Sequence, residues 1–152
     1  MKNIFVLSAL GFSCGLPYML VFSTLSAWLR DAGAALTVIG FISWAALTYS
    51  LKFLWSPFVD RIKMPLNQAV GQRRSWILMM QLLILILIMM MSQFDPISSL
   101  NFIVITAVLI AFFGSLQDIA VDAYRIELVS LDEQGNLAAS YQFGYRLSIL
   151  VA

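Results

Sequence analysis

"WILMMQLLILILIMMMSQF", residues 76–94, runs without one charged side chain, and its length decides the fold. A hydrocarbon core about 30 Å thick is crossed by about 20 apolar residues of helix. The stretch therefore reads as a single membrane span. Similar runs lie on both sides of it. Residues 3–29 form a first segment, too long for a cleaved signal peptide, whose apolar region is about 7–15 residues. Residues 36–59 form a second, interrupted only by Lys52, and 99–124 a fourth, with Ser98 or Ser99 able to cap its start. A fifth begins at 137 and reaches 152, about ten residues short of spanning length. No linker or soluble domain intervenes, so residues 1–152 read as one unit, an all-α polytopic membrane helix bundle whose short loops predict antiparallel neighbours.

Composition agrees. The chain is 61% hydrophobic and 11% charged, with mean hydropathy +0.90, whereas soluble domains carry about 25% charged residues. A net charge of +1 leaves no basic patch for nucleic acid. One cysteine, Cys14, and no histidine predict neither a disulfide framework nor a zinc, haem or other metal site, and no cofactor is expected. No nucleophile stands with a base of its own, which argues against an enzyme. The lipid bilayer is the expected surrounding.

Basic residues set the expected orientation, because Lys and Arg are retained on the cytoplasmic side. Lys2, Arg61, Lys63, Arg73, Arg74 and Arg125 flank one side, and Arg30 alone the other. The N-terminus is therefore expected in the cytoplasm. Trp28, Trp55 and Trp76 stand at segment ends, where amphipathic rings favour the headgroup level.

"SLQDIAVDAYR", residues 115–125, places carboxylates at the end of the fourth segment. On a helix, Ala111, Gly114, Ser115, Asp118, Asp122 and Arg125 share a face, small residues above and charged ones below. Intramembrane carboxylates normally face a bundle interior or a watered cavity. One turn apart, Asp118 and Asp122 call for a cation if both are ionised, and Arg125, Lys52 or Arg146 can supply it. Arg146, about 13 Å into the fifth segment at 1.5 Å per residue, has the longer path to the surface and is the preferred inward-facing cation. Lys52 has snorkelling open to it. The plain alternative is that the aspartates only fix helix ends.

In the first segment, Gly11 and Gly15 make a Gly-x-x-x-Gly pair, and Pro17 removes a backbone hydrogen bond. The pair reads as tight helix packing with a kink. Alternatively it marks a flexible helix lining a path, with Tyr18 offering a hydroxyl to a polar ligand. Met89–Met91 read as lipid-facing or core-filling side chains.

Beyond the second segment, Asp60-Arg61 is followed by Gly71 and the pair Arg73-Arg74. This resembles the cytoplasmic signature of the major facilitator superfamily, although Ser56 stands where that signature has glycine. "KFLWSPFVDR", "GQRRSWILMMQ", "SLQDIAVDAYRIELV" and "GYRLSILVA", with "LGFSCGLP" and "STLSAWL", resemble the AmpG branch of muropeptide permeases. The resemblance runs along nearly the whole chain and implies a fold of twelve or more helices, about four and a half of them here, with the remaining helices as partner. It implies import of anhydro-muropeptides across the inner membrane, with protons as the coupling ion. The branch's Gln-Asp-x-x-x-Asp pattern falls on Gln117, Asp118 and Asp122, which with Lys52, Arg146 and Tyr18 make the expected proton or substrate pathway. Asp60, Arg61, Arg73 and Arg74 are implied as a gating loop. Acetyl-coenzyme A transporters share much of the pattern, so that substrate remains open, as does a non-functional truncated remnant.

A topological prediction follows from the charge count. Gln68→Cys resists a membrane-impermeant thiol reagent added outside intact cells, and labelling from outside would reverse the orientation.

Overall fold

A computed structural model describes residues 2–65, 67–128 and 133–152, which are helical apart from short connections. Helix α1 runs Lys2–Met19, passes through one π turn at Leu20–Thr24 and continues over Leu25–Asp31. It is followed by α2 (Leu36–Ser50) and α3 (Lys52–Arg61), the short α4 (Asn67–Val70), α5 (Gln72–Met91), α6 (Leu100–Leu128) and α7 (Gln134–Val151). Among the described residues three helices, α1, α5 and α6, are long and apolar enough to cross a membrane, and α2 with α3 makes a fourth span if the bent pair is taken together.

Pro17 sits inside α1 without ending it. The inward stripe Leu7, Gly11, Cys14, Val21, Leu25 and Leu29 follows helical spacing.

The second span is not continuous, contrary to the reading of 36–59 as one helix. It breaks at Leu51, whose φ of −93° and ψ of 13° leave the helical region, and α3 departs from α2 at 53°. The local chemistry fits the bend. Thr48 donates its hydroxyl to the Ala45 carbonyl at 2.6 Å and Ser50 donates to Ala46 at 3.5 Å. Such back-bonding by Ser and Thr bends helices.

Other boundaries move for identifiable reasons. Helix α5 starts at Gln72 rather than 76, because Gly71 at φ 88° takes the left-handed conformation open to glycine and turns the chain into the helix. Helix α6 runs on to Leu128, past the expected end at 124, since Arg125 and Glu127 end an apolar run but not a helix. Its entry is fixed by Asp95, not by a Ser98 or Ser99 side chain. The Asp95 Oδ1 accepts from the backbone N–H groups of Ser98 at 2.8 Å and Ile97 at 3.0 Å. Those donors hold the carboxyl below the usual carboxylate range.

Helix α6 is the central post. It is the most buried of the three long spans, 56% of its apolar window against 28% for α5. One core cluster joins Cys14, Val59, Trp76, Met80, Ala120 and Tyr141. A second, towards the other end of α1, joins Val21, Leu25, Ile42, Ile84, Ile103 and Ile110. Trp76 is 4% exposed and donates its indole N–H to the Ile62 carbonyl at 3.1 Å. It is a core clasp, not the headgroup anchor its position predicts. Met89 and Met90 are exposed while Met91 packs on the second cluster.

The tightest contact is between the first and last helices. Ser8 bonds the Ser140 carbonyl and Thr24 the Ala152 carbonyl, so numbers rise together along both and α1 and α7, the first and fifth segments, are parallel. The Gly11–Gly15 pair is the contact surface. A Cβ on Gly11 would strike the Tyr141 carbonyl oxygen, one on Gly15 the Ser148 hydroxyl, and one on Gly144 the Ser8 carbonyl oxygen. The α7 stripe Ser140, Gly144, Ser148 answers the α1 glycines with the same four-residue spacing.

Gly15→Leu and Gly144→Leu should each cost at least about 1–3 kcal/mol by overpacking, seen as reduced membrane abundance and a lower unfolding temperature in detergent. Gly40→Ala, where a Cβ meets nothing within 4 Å, should be neutral or stabilising by up to about 1 kcal/mol. Equal behaviour at these positions would show that α1 and α7 do not meet backbone to backbone.

Candidate functional site: a four-charge cluster between α3, α6 and α7

The break at Leu51 places Lys52 as the first residue of α3, facing the C-terminal half of α6. Its Nζ lies 3.0 Å from Asp118 Oδ2 and 3.4 Å from Asp122 Oδ2. Arg125, one turn beyond Asp122 on α6, approaches Asp122 Oδ1 at 3.5 Å. The second oxygen of Asp118, Oδ1, accepts a hydrogen bond from the Tyr141 hydroxyl of α7 at 2.6 Å. Arg125 lies over the Tyr141 ring, 5.8 Å from its centroid. Two cations thus face two carboxylates, and the cluster balances to zero formal charge. Asp118 is its most enclosed ionic member, its side chain 18% exposed against 42% for Lys52.

Removing one charge from such a group leaves another without its partner, which costs more than an exposed pair is worth. A proton added to either aspartate therefore converts a balanced cluster into one with an excess positive charge. A proton on Asp118 would weaken the Lys52 contact, and one on Asp122 those of Lys52 and Arg125, because ammonium and guanidinium donate only and cannot accept from a protonated oxygen.

Among the described residues, the cation that meets both aspartates is Lys52. Arg146 is exposed and makes no ion pair among the described residues. The reason is helical phase. Five residues beyond Tyr141, Arg146 points about 140° away on α7, and Tyr141, Gly144 and Ser148 already occupy the buried face.

Next to the charges lies a neutral polar group. Ser13 Oγ accepts from Gln117 Nε2 and from Gln81 Nε2, both at 3.0 Å, and donates to the Leu10 carbonyl at 2.9 Å. Gln117 also approaches Cys14 Sγ at 3.5 Å. Three spans, α1, α5 and α6, are joined through one hydroxyl. Tyr18 stands higher on α1 in an aromatic group, edge-on to Tyr49 at 5.2 Å and 4.8 Å from Phe22. Among the described residues the buried Tyr49 hydroxyl has no hydrogen-bond partner; it lies over Gly114, where a side chain would strike it.

The candidate gating residues form a separate network at the charged end of the bundle. Arg73 bridges Asp60 of α3 and Glu127 of α6, the latter at 2.9 Å. Arg74 donates to the Tyr124 hydroxyl at 3.2 Å and lies 5.5 Å from its ring. Arg61 is exposed and makes no ion pair among the described residues.

The sequence pattern missed Tyr141, Ser13, Gln81 and Glu127. Glu127 had a signal, an acid on the charged side beside unpaired arginines. Tyr141, Ser13 and Gln81 had none, because their partners lie on other helices. Among the described residues, no group of three or more His, Cys, Asp or Glu could hold a metal ion.

The family described as acetyl-coenzyme A transporter 1 matches residues 3–151, essentially the whole chain. The chain belongs to this family. Its relatives extend the comparison to the AmpG branch. It is 40% identical over 147 residues to the anhydromuropeptide permease of Escherichia coli K12, covering 97% of this chain and 29% of that protein. It is 37% identical over 149 residues to a Rickettsia felis protein that carries the name AmpG 4, covering 98% and 36%. An uncharacterized protein of Haemophilus influenzae matches at 37% over 150 residues, covering 99% and 35%. The chain therefore spans about a third of the length of these relatives.

Ser13→Ala removes the acceptor shared by two glutamine amides. Leaving buried donors unpaired costs about 1–3 kcal/mol, so the unfolding temperature should fall clearly. Ser50→Ala, whose hydroxyl bonds only its own helix at 3.5 Å, should change little. The comparison is read by thermal unfolding in detergent.

Proposed function

We propose that residues 1–152 are the N-terminal part of a secondary active transporter that imports anhydro-muropeptides across the inner membrane by proton symport, with the N-terminus in the cytoplasm. The observation that carries the reading is the Lys52–Asp118–Asp122–Arg125 cluster between spans, at Lys52 distances of 3.0 and 3.4 Å. A balanced cluster with one cation at a helix break has the properties of a proton-coupled switch, because protonation and helix position are bound to the same contact. The relative named anhydromuropeptide permease supports the substrate. Asp118 and Asp122 carry the proton, Lys52 and Arg125 are the counter-charges, and Gln117 and Tyr18 line the substrate path. Asp60, Arg73, Arg74 and Glu127 gate the cytoplasmic end. The family description favours a second reading in which acetyl-coenzyme A is carried by the same machinery.

Uptake of radiolabelled anhydro-muropeptide against acetyl-coenzyme A, in cells expressing the full-length protein, separates the two substrates. Asp118→Asn keeps size and hydrogen bonding but removes titration. It should remain in the membrane and lose accumulation against a gradient while retaining downhill exchange. Loss of both modes makes Asp118 a gate residue, and full pH-dependent accumulation by both Asp118→Asn and Asp122→Asn reduces the aspartates to helix-end pairs.

A further inference from the structure

Tyr141 is 9% exposed, in the same core cluster as Cys14, Met80 and Ala120. A buried phenol must find a partner for its hydroxyl. Its partner is Asp118 Oδ1 at 2.6 Å, a length typical of a hydroxyl donating to an ionised oxygen.

That contact makes the two oxygens of Asp118 inequivalent. Oδ2 faces the Lys52 ammonium at 3.0 Å, while Oδ1 faces a neutral donor. A proton arriving from water on Oδ2 forms an O–H bond there and leaves Oδ1 as the carbonyl oxygen, which still accepts from Tyr141. A proton on Oδ1 would instead turn the hydrogen bond round, with the carboxyl donating to the Tyr141 oxygen and the buried phenol's own hydrogen left without that acceptor. The other charged or titratable groups around Asp118 are Asp122 and Arg125 from α6, Cys14 from α1, Tyr49 from α2 and Tyr145 from α7. Among the described residues only Tyr141 hydrogen-bonds Oδ1.

The two oxygens also answer to different parts of the fold. Tyr141 belongs to α7, which is seated on α1 through Gly11, Gly15 and Gly144 with no room for a Cβ. Lys52 begins α3, immediately past the 53° break. One oxygen is held from the rigid pair and the other from the jointed span.

We propose that Tyr141 is a positioning residue. By holding Asp118 Oδ1 from the rigid α1–α7 pair, it reserves Oδ2 as the oxygen that exchanges Lys52 for a proton, so that protonation releases α3 and leaves α7 in place. The inference rests on the reading of Asp118 as the titrating group.

The test uses the full-length protein reconstituted in lipid vesicles, with radiolabelled anhydro-muropeptide as probe. Tyr141→Phe keeps the ring and its packing and removes only the hydroxyl. Accumulation should fall about tenfold, the equivalent of one charge-assisted hydrogen bond, at unchanged membrane abundance. In exchange, the double variant Asp118→Asn with Tyr141→Phe should match Asp118→Asn alone, because without a titrating group at 118 the hydroxyl has no proton to direct. Wild-type accumulation by Tyr141→Phe, or an additive loss in the double variant, would overturn the proposal. If Tyr141→Phe fails to reach the membrane, 3-fluorotyrosine at 141 keeps ring and hydroxyl and donates a stronger hydrogen bond. It should preserve abundance and displace the pH profile of accumulation, and an unmoved profile would overturn the proposal. Normal accumulation by Asp118→Asn would instead remove the underlying reading, whatever Tyr141 does.

Discussion

The approach of α1 to α7 without intervening side chains is the constraint on which the rest of the bundle depends. Gly11 and Gly15 present bare backbone, and Tyr141, Tyr145 and Ser148 fill the space that any Cβ would need. In lipid there is little hydrophobic force to bring helices together, so close packing and interhelical hydrogen bonds must do it. Here both act, since Ser8 and Ser140 are joined by a hydrogen bond beside the glycine contact. The register so fixed is what lets the Tyr141 side chain reach α6. A shift of α7 by one residue would turn Tyr141 about 100° away and leave Asp118 with Lys52 alone.

The ionic cluster shows the opposite design. Its contacts are made across a joint, between α3 and the central post α6, and each long ion-pair distance involves Asp122. The same segment α3 carries Lys52 at one end and Asp60 near the other, and Asp60 is tied through Arg73 to Glu127. A ten-residue helix is thus held ionically at both ends, with apolar contact through the buried Val59 between. Ion pairs tolerate small displacements better than interlocked side chains do. A closely packed pair of helices beside an ionically tethered one divides the bundle into two kinds of attachment.

Much of this was readable from residue order, and the limits have physical causes. Apolar runs gave four spans and a fifth segment because the bilayer acts on each helix separately. They gave helix ends poorly, because a charge marks the edge of the hydrocarbon and not the end of hydrogen bonding, as Arg125 and Glu127 in α6 show. The break at Leu51 left no mark beyond two hydroxyl residues. The Gly11–Gly15 pair announced a contact, but its partner stripe on α7 alternates Ser and Gly and was passed over. Spacing marks Asp118 and Asp122, whereas the sequence offers Arg125, Lys52 and Arg146 alike as their cation and depth along the helix favours Arg146 over Lys52. Depth is a one-dimensional measure, and the choice between Lys52 and Arg146 turns on helical phase and on a break in another helix.

The network at the charged end divides the basic residues into two kinds. Arg73 and Arg74 are engaged inside the protein, with Asp60, Glu127 and Tyr124. Arg61 and Lys63 are exposed and remain available to lipid phosphates. An anionic leaflet attracts such side chains by about 1 kcal/mol each through its surface potential. Of the four cations crowded between α3 and α5, two therefore hold the helices to each other and two stand exposed, where an anionic lipid surface would attract them. Salt and lipid charge would act mainly on the exposed pair, while the internal pairs answer to the position of α3.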